Sequence, residues 1–272
     1  MEYQLIDGIK CYAPEFAHEN EGFSADSFEK LYKVEEDNFW FKSRNKVIQS
    51  LFKKYLGENK SAEVLEIGCG TGYVLNGLKE RFPSYSLTGS EIHLKGIEYA
   101  KKRLPNIELI QLDATRIPFE NKFDAVGAFD VIEHIEEDVE VMKNVHKSLK
   151  KDGLFFISVP QYMFMWSQAD DIAFHKRRYT RSEMKQKLEL VGFEVAYLSS
   201  FVFTLFPLMY TSRKLRGKEE ERSADKDDME EFNIPPIVNK TFSVFMKIDE
   251  FLIKNGVKLP FGGSVIVVAR KK

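Results

Sequence analysis

The chain has 272 residues, room for one large domain or a domain with an elaborate insertion. Its formal net charge of −2 excludes the basic signature of a general nucleic-acid binder. Its two cysteines, Cys11 and Cys69, exclude a disulfide framework and point to a reducing cytoplasm.

The start is mixed polar and charged, unlike a signal peptide. Residues 1–30 show no clear period and read as an ordered arm or loop. Residues 31–56 read as one helix, with Val47, Leu51 and Tyr55 on one face and Gly57 as its stop. The period then shortens. Residues 63–67 read as a buried strand, and glycines lead into a helix over 73–81, closed by Pro83. A strand over 85–89 ends at Ser90-Glu91, a helix follows over 93–104, and a strand over 107–111 ends at Asp113. Residues 123–129 are the next strand. A helix over 133–150 places Ile135, Val139, Met142 and Leu149 on one face, with acids early and lysines late to suit its dipole. A strand over 154–159 follows. Thr180 and Glu183 form a capping box for a helix that Gly192 closes. Strands over 193–198 and 264–269 complete the series.

This alternation predicts an α/β, Rossmann-like fold: a seven-stranded, mostly parallel sheet with helices on both faces and an antiparallel last strand. The chain divides into an N-terminal helical arm and cap helix (1–56), a core (57–201), a helical insertion (202–262) and a final core strand (263–272). In the insertion, Val238, Phe242, Phe245, Ile248 and Leu252 recur at helical spacing, and residues 213–231 are highly charged. No apolar run reaches the roughly 18 residues that a membrane span needs. The insertion suits a cap, a dimer face or a peripheral membrane contact.

Residues 68–72, Gly-Cys-Gly-Thr-Gly, join a strand to a helix. Glycines allow a tight turn and close ligand approach, and the helix amino end faces the ligand. The dinucleotide fingerprint needs Gly or Ala at its sixth position, which here is Tyr73. Glu66, just before the loop, would repel a pyrophosphate but suits a ligand carrying an ammonium and a sulfonium. Glu91, about twenty residues on, ends the second strand where an acid accepts ribose hydroxyls.

Residues 64–72 resemble the first motif of class I S-adenosylmethionine (SAM)-dependent methyltransferases. Asp113-Ala114 resembles their adenine-contacting pair, and residues 129–135 resemble the segment after the fourth strand in ubiquinone-type O-methyltransferases. The resemblance covers roughly residues 40–200 plus the last strand. It implies SAM as cofactor and S-adenosylhomocysteine (SAH) as product. By it, Gly68, Gly70 and Gly72 shape the methionine pocket, Glu66 contacts the ammonium, and Glu91 holds the ribose. Ile92, Asp113 and Ala114 would meet adenine, and Phe129 would offer a backbone carbonyl. Glu91 stands where Asp is common.

Outside that motif set, Arg44 on the aromatic-rich helix is a candidate for the SAM carboxylate. His134 and His175 are candidate general bases. Arg177, Arg178 and Tyr179 are candidate acceptor contacts, or else the loop is pinned by Asp170 or Asp171. A metal held by Glu133, His134 and a nearby acid is the weaker alternative, and no metal is expected. The expected activity is direct methyl transfer to a small-molecule, saccharide or lipid-linked acceptor, with O-methylation favoured. The rivals are a non-catalytic SAM-binding or assembly protein and a nucleotide-dependent oxidoreductase.

Overall fold

A computed structural model describes residues 2–17, 25–216 and 234–272. The core strands are β3 (Ala62–Ile67), β4 (Tyr85–Glu91), β5 (Glu108–Gln111), β6 (Phe123–Phe129), β7 (Leu149–Pro160), β8 (Phe193–Phe201) and β9 (Ser264–Lys271). Two short strands precede them, β1 (Gln4–Ile6) and β2 (Ile9–Cys11), so among the described residues the sheet has nine strands rather than seven. Its order is β1-β2-β5-β4-β3-β6-β7-β9-β8. β9 runs antiparallel between β7 and β8.

The N-terminal arm is thus not only helical. β1 and β2 form a hairpin, and β2 lies parallel on the edge strand β5. The Gln111 side chain donates to the Ala13 carbonyl at 2.7 Å and accepts the Ala13 N–H at 3.0 Å, docking the arm. Three-residue strands are too short to show a period of two, which is why the pattern missed them.

The expected helix over 31–56 is two helices, α1 (Ala25–Val34) and α2 (Phe39–Tyr55). Asn38 divides them, because its side chain accepts the Trp40 N–H at 2.8 Å and caps α2. Helices α3 (Tyr73–Arg81), α4 (Leu94–Arg103), α5 (Asp138–Ser148) and α7 (Arg181–Val191) follow, with a short α6 (Gln168–Ile172) between the last two. The expected helix over 133–150 opens instead as a 3-10 turn, Ile132–His134, and becomes α5 only at Asp138. The Thr180–Glu183 capping box is present, and Gly192 closes α7 in a left-handed conformation.

Strand alternation sorts side chains between two apolar layers. Val64 and Phe156 join the layer that α2 and α3 cover with Val47, Leu51 and Leu75. Leu65 and Phe155 join the layer covered by α5 and α7 with Val145 and Leu188. The insertion carries α8 (Phe206–Arg216) and α9 (Pro236–Lys254). α9 lies against the start of α2: Phe39 N–H donates to Asn239 Oδ1 at 2.8 Å, and the Phe39 and Phe242 rings are 5.2 Å apart. Buried Asp249 accepts from Phe203 N–H at 2.5 Å, tying α9 to the chain after β8. Among the described residues no helix is long and apolar enough to cross a membrane.

Candidate active site

From β3 the sheet grows one way through β4 and β5 and the other way through β6 and β7. Open α/β sheets bind ligands beyond the strand carboxyl ends at such a switch point. A cavity of about 1780 Å³ lies there. Its floor is the loop after β3. Gly68 and Gly70 have φ of +60° and +51°, and a Cβ on Gly68 would sit 2.6 Å from a Val131 methyl carbon. A Cβ on Gly70 would meet no atom within 4 Å, so that backbone is open to a ligand. Glu91, at the end of β4, accepts Gly70 N–H at 3.0 Å and Ile92 N–H at 2.8 Å, which binds the loop to the next strand.

Glu66 shares the Val64 side of β3 by alternation, the side that α2 covers. It is buried, and its Oε2 has no hydrogen-bond partner. Burial pushes its carboxyl up to about 8; Arg44 opposes the rise, while Glu35 and Glu91 add to it. A buried carboxylate without a partner costs free energy until a cation meets it. Arg44 lies on the buried face of α2, stacked 4.4 Å from the Trp40 ring. It is ion-paired to Asp130, which also accepts from Ser158 Oγ at 3.0 Å. Arg44 Nε, also buried, has no hydrogen-bond partner and remains a donor for an anion. These groups fit the amino-acid end of SAM: an acceptor for its ammonium, a donor for its carboxylate, and Glu91 for its ribose.

Beyond Phe129, three side chains converge from two segments. Glu133, His134 and His175 offer ligand atoms that all lie within 4.8 Å of one another. Both Glu133 oxygens are buried without partners, and burial, with Asp130 adding to it, holds the carboxyl well above the usual range. Burial pushes His134 down to about 4, helped by His175. His175 Nδ1 lies 2.8 Å from Asp170 Oδ1. Asp170 is fully enclosed and also takes Arg178 Nε at 2.6 Å and Arg178 Nη2 at 2.9 Å. Burial alone would raise Asp170; the bonds from His175 and Arg178 outweigh it and hold the carboxyl low.

The cavity brings together Arg44, Glu66, Gly68, Gly70, Glu91, Ile92, Asp113, Ala114, Phe129, His134, His175 and Arg178. Gly72 sits behind the loop, where a Cβ would press on Leu104 and Ala100. Asp113 lines the cavity but also accepts Thr115 N–H and Arg116 Nε, each at 2.8 Å. Arg177 and Tyr179 lie off the cavity: Arg177 pairs with Glu136 and Asp138, and the buried Tyr179 hydroxyl donates to Asp138 at 2.7 Å. Sequence reading missed Asp130, although it directly follows Phe129 in a segment already singled out. The walls from α8 and α9 belong to the insertion, for which the sequence left a cap, a dimer face and a membrane contact open.

A doubly wound sheet with an acid-rimmed glycine loop at its switch point defines a nucleoside-cofactor protein. A family model described as a methyltransferase domain matches residues 40–198, and the chain belongs to that family. The chain is 26% identical over 163 residues to a probable S-adenosylmethionine-dependent methyltransferase of Mycolicibacterium smegmatis, covering 59% of this chain and 61% of that protein. It is 27% identical over 125 residues to a demethylmenaquinone methyltransferase of Chlorobaculum tepidum, covering 46% and 50%. The chain therefore spans less than two thirds of the curated relatives it matches. Its fold is similar to that of a Haemonchus contortus phosphoethanolamine N-methyltransferase in complex with S-adenosyl-L-methionine, with a TM-score of 0.60, 14% identity, and coverage of 98% and 61%.

Proposed function

We propose that the chain transfers a methyl group from SAM to a hydroxyl of its acceptor, with His175 as the general base. The observation that carries this reading is the buried Asp170 at 2.8 Å from His175 Nδ1. A carboxylate only accepts, so Nδ1 carries the proton and Nε2 is the basic nitrogen of a ring that lines the cavity. Bound SAM supplies an electrophilic methyl on a good leaving group. The chain's part is to hold the acceptor oxygen in line with that methyl, exclude water, and take the hydroxyl proton on Nε2. Asp170 then faces an imidazolium, and Arg178 keeps Asp170 ionised and fixed. His134, neutral at pH 7 by its lowered value, packs 4.7 Å from the His175 ring and sets its plane. Oxygen as the acceptor atom draws further support from relatives described as malonyl-[acyl-carrier protein] O-methyltransferases. Small-molecule, saccharide and lipid-linked acceptors all remain within this reading.

The test is His175→Gln, with turnover followed as SAH formed from SAM on incubation with cell-extract fractions. General-base removal lowers turnover by about 10²–10⁴-fold, with SAH affinity unchanged. A variant with undiminished turnover removes His175 from the chemistry.

A further inference from the structure

We infer that the acceptor carries an apolar chain, held against a wall built by the insertion. This rests on the methyl-transfer reading of the same cavity. The cavity of about 1780 Å³ exceeds the roughly 300–1,000 Å³ of ordinary ligand pockets. Its polar groups gather at the glycine loop and around the two histidines. The wall supplied after β8 has a different character. Val202, Leu205, Leu208 and Met209 line it from the α8 side, and Val238 and Phe242 from α9. The polar side chains on this part of the wall are Ser212 and Arg213.

The wall is continuous with the chemistry. Arg213 lies 3.8 Å from Asp170, which holds His175. Phe242 packs on Phe39, at the start of the helix that carries Arg44. Leu208 and Val238 are 52% and 36% exposed, so the apolar surface runs out to the mouth. A saccharide laid on these residues would leave hydroxyls without partners. A compact small molecule would leave most of the wall wet. A flexible apolar chain gains from all of it, while its polar end reaches the histidines. The insertion is thus the acceptor's chain-binding element.

The test uses the full chain saturated with SAH and two fluorescent probes, 11-(dansylamino)undecanoic acid and dansylglycine. They share a fluorophore and a carboxylate and differ in chain length. The expected result is one saturable site for the long probe. The short one binds at least about tenfold more weakly, since each buried methylene is worth about fourfold. Val238→Asp and Leu208→Asp, at partly exposed positions that tolerate a charge, weaken the long probe by a similar factor and leave SAH affinity and melting temperature unchanged. Glu91→Ala does the reverse, weakening SAH and sparing the probe. Equal binding of the two probes, or folded Asp variants that bind like the parent, overturns the inference. So does probe uptake that appears only as the chain dimerises in sedimentation, since the wall would then be a subunit contact. Failure of the parent chain to bind SAH sinks the methyl-transfer reading separately.

Discussion

Replacing Glu66 with Gln removes the one carboxyl that burial has pushed up to about 8 at the cofactor end of the cavity. At pH 7 that carboxyl is about nine-tenths protonated in the free chain. An ammonium bound beside it favours the ionised form, so binding expels close to one proton. The penalty for ionising Glu66 is then paid from the binding free energy, and it grows as pH falls. Between pH 7.0 and 5.5 the affinity of the parent chain for SAH should weaken by roughly 30-fold, about tenfold per pH unit. The slope is nearly the same for any Glu66 value above about 7. The ligand's amino group belongs to a free α-amino acid, is more basic than a peptide's terminal amine, and stays charged across this window. Glu66→Gln loses the charge-assisted contact, worth about 1.5–3 kcal/mol, but has nothing to ionise. Its affinity is lower at pH 7 and flat with pH, so the two curves converge towards pH 5.5. Calorimetric titration with SAH in buffers of different ionisation enthalpy reads both the affinity and the proton count. A flat parent curve, or a Gln variant that still releases a proton, refutes the assignment of Glu66 to the ammonium. The free chain carries the same linkage with the opposite sign. From pH about 4.5 to 8 the folded state holds a proton that the unfolded chain has lost, so stability falls as pH rises. Glu66→Gln should remove that decline in urea unfolding.

Arg103 is buried against Glu35 at 3.0 Å and donates to the Thr71 carbonyl at 2.8 Å, joining α1 to the glycine loop through α4. Burial outweighs Thr71 and Arg103 and raises the Glu35 carboxyl, so Arg103→Ala removes one of the groups that oppose that rise, and urea unfolding should show a loss of about 2–3 kcal/mol. Thr180→Ala breaks the capping box of α7, whose Thr180 Oγ1 accepts Glu183 N–H at 3.1 Å; a loss of about 1 kcal/mol is expected in the same assay. Chelation tests the base directly. A metal on Glu133, His134 and His175 would occupy the basic nitrogen, so the base reading expects turnover to survive EDTA. Loss that manganese or zinc restores would transfer the role of those three residues to a metal site.

The core was legible because its signals are local. The change of period at residue 63, the glycines at 68–72 and the capping box at Thr180 each act within a few residues. What was not legible depends on contacts far apart in sequence. β2 exists because Cys11 pairs with Gln111, about a hundred residues away. In α9 the apolar spacing marked a helix without showing which side of it packs. Met246, Asp249 and Ile253 are the buried positions, whereas Phe245 and Ile248 are 43% and 48% exposed. Apolar residues on both sides of that helix made its packed side unreadable. At the site, Glu66 and Glu91 were readable from their places at strand ends, but the partner of Arg44 was not. Asp130 reaches it only because the sheet sets the end of β6 under α2. Of the cluster at 175–179, His175, Lys176 and Arg178 line the cavity. Arg177 and Tyr179 turn instead to Asp138 on α5, a choice that alternation along an irregular loop does not encode.

The unpartnered polar atoms divide the cavity by function. Glu66 Oε2 and Arg44 Nε lie on the cofactor side, while both oxygens of Glu133 lie beside the histidines. Each such group costs about 1–3 kcal/mol when left unpaired, and packing alone would favour apolar replacements. A zwitterionic amino acid satisfies the first pair. It leaves Glu133 unsatisfied, since that carboxyl stands apart with His134 and His175. Burial, with Asp130 adding to it, raises the Glu133 carboxyl, which favours a hydrogen-bond donor over a second base there. On the proposed reading, proton acceptance falls to His175 and Glu133 would orient the acceptor oxygen. The proposed hydroxyl would then be gripped from two sides, by an acid that donates and an imidazole that accepts, at the inner end of the apolar wall.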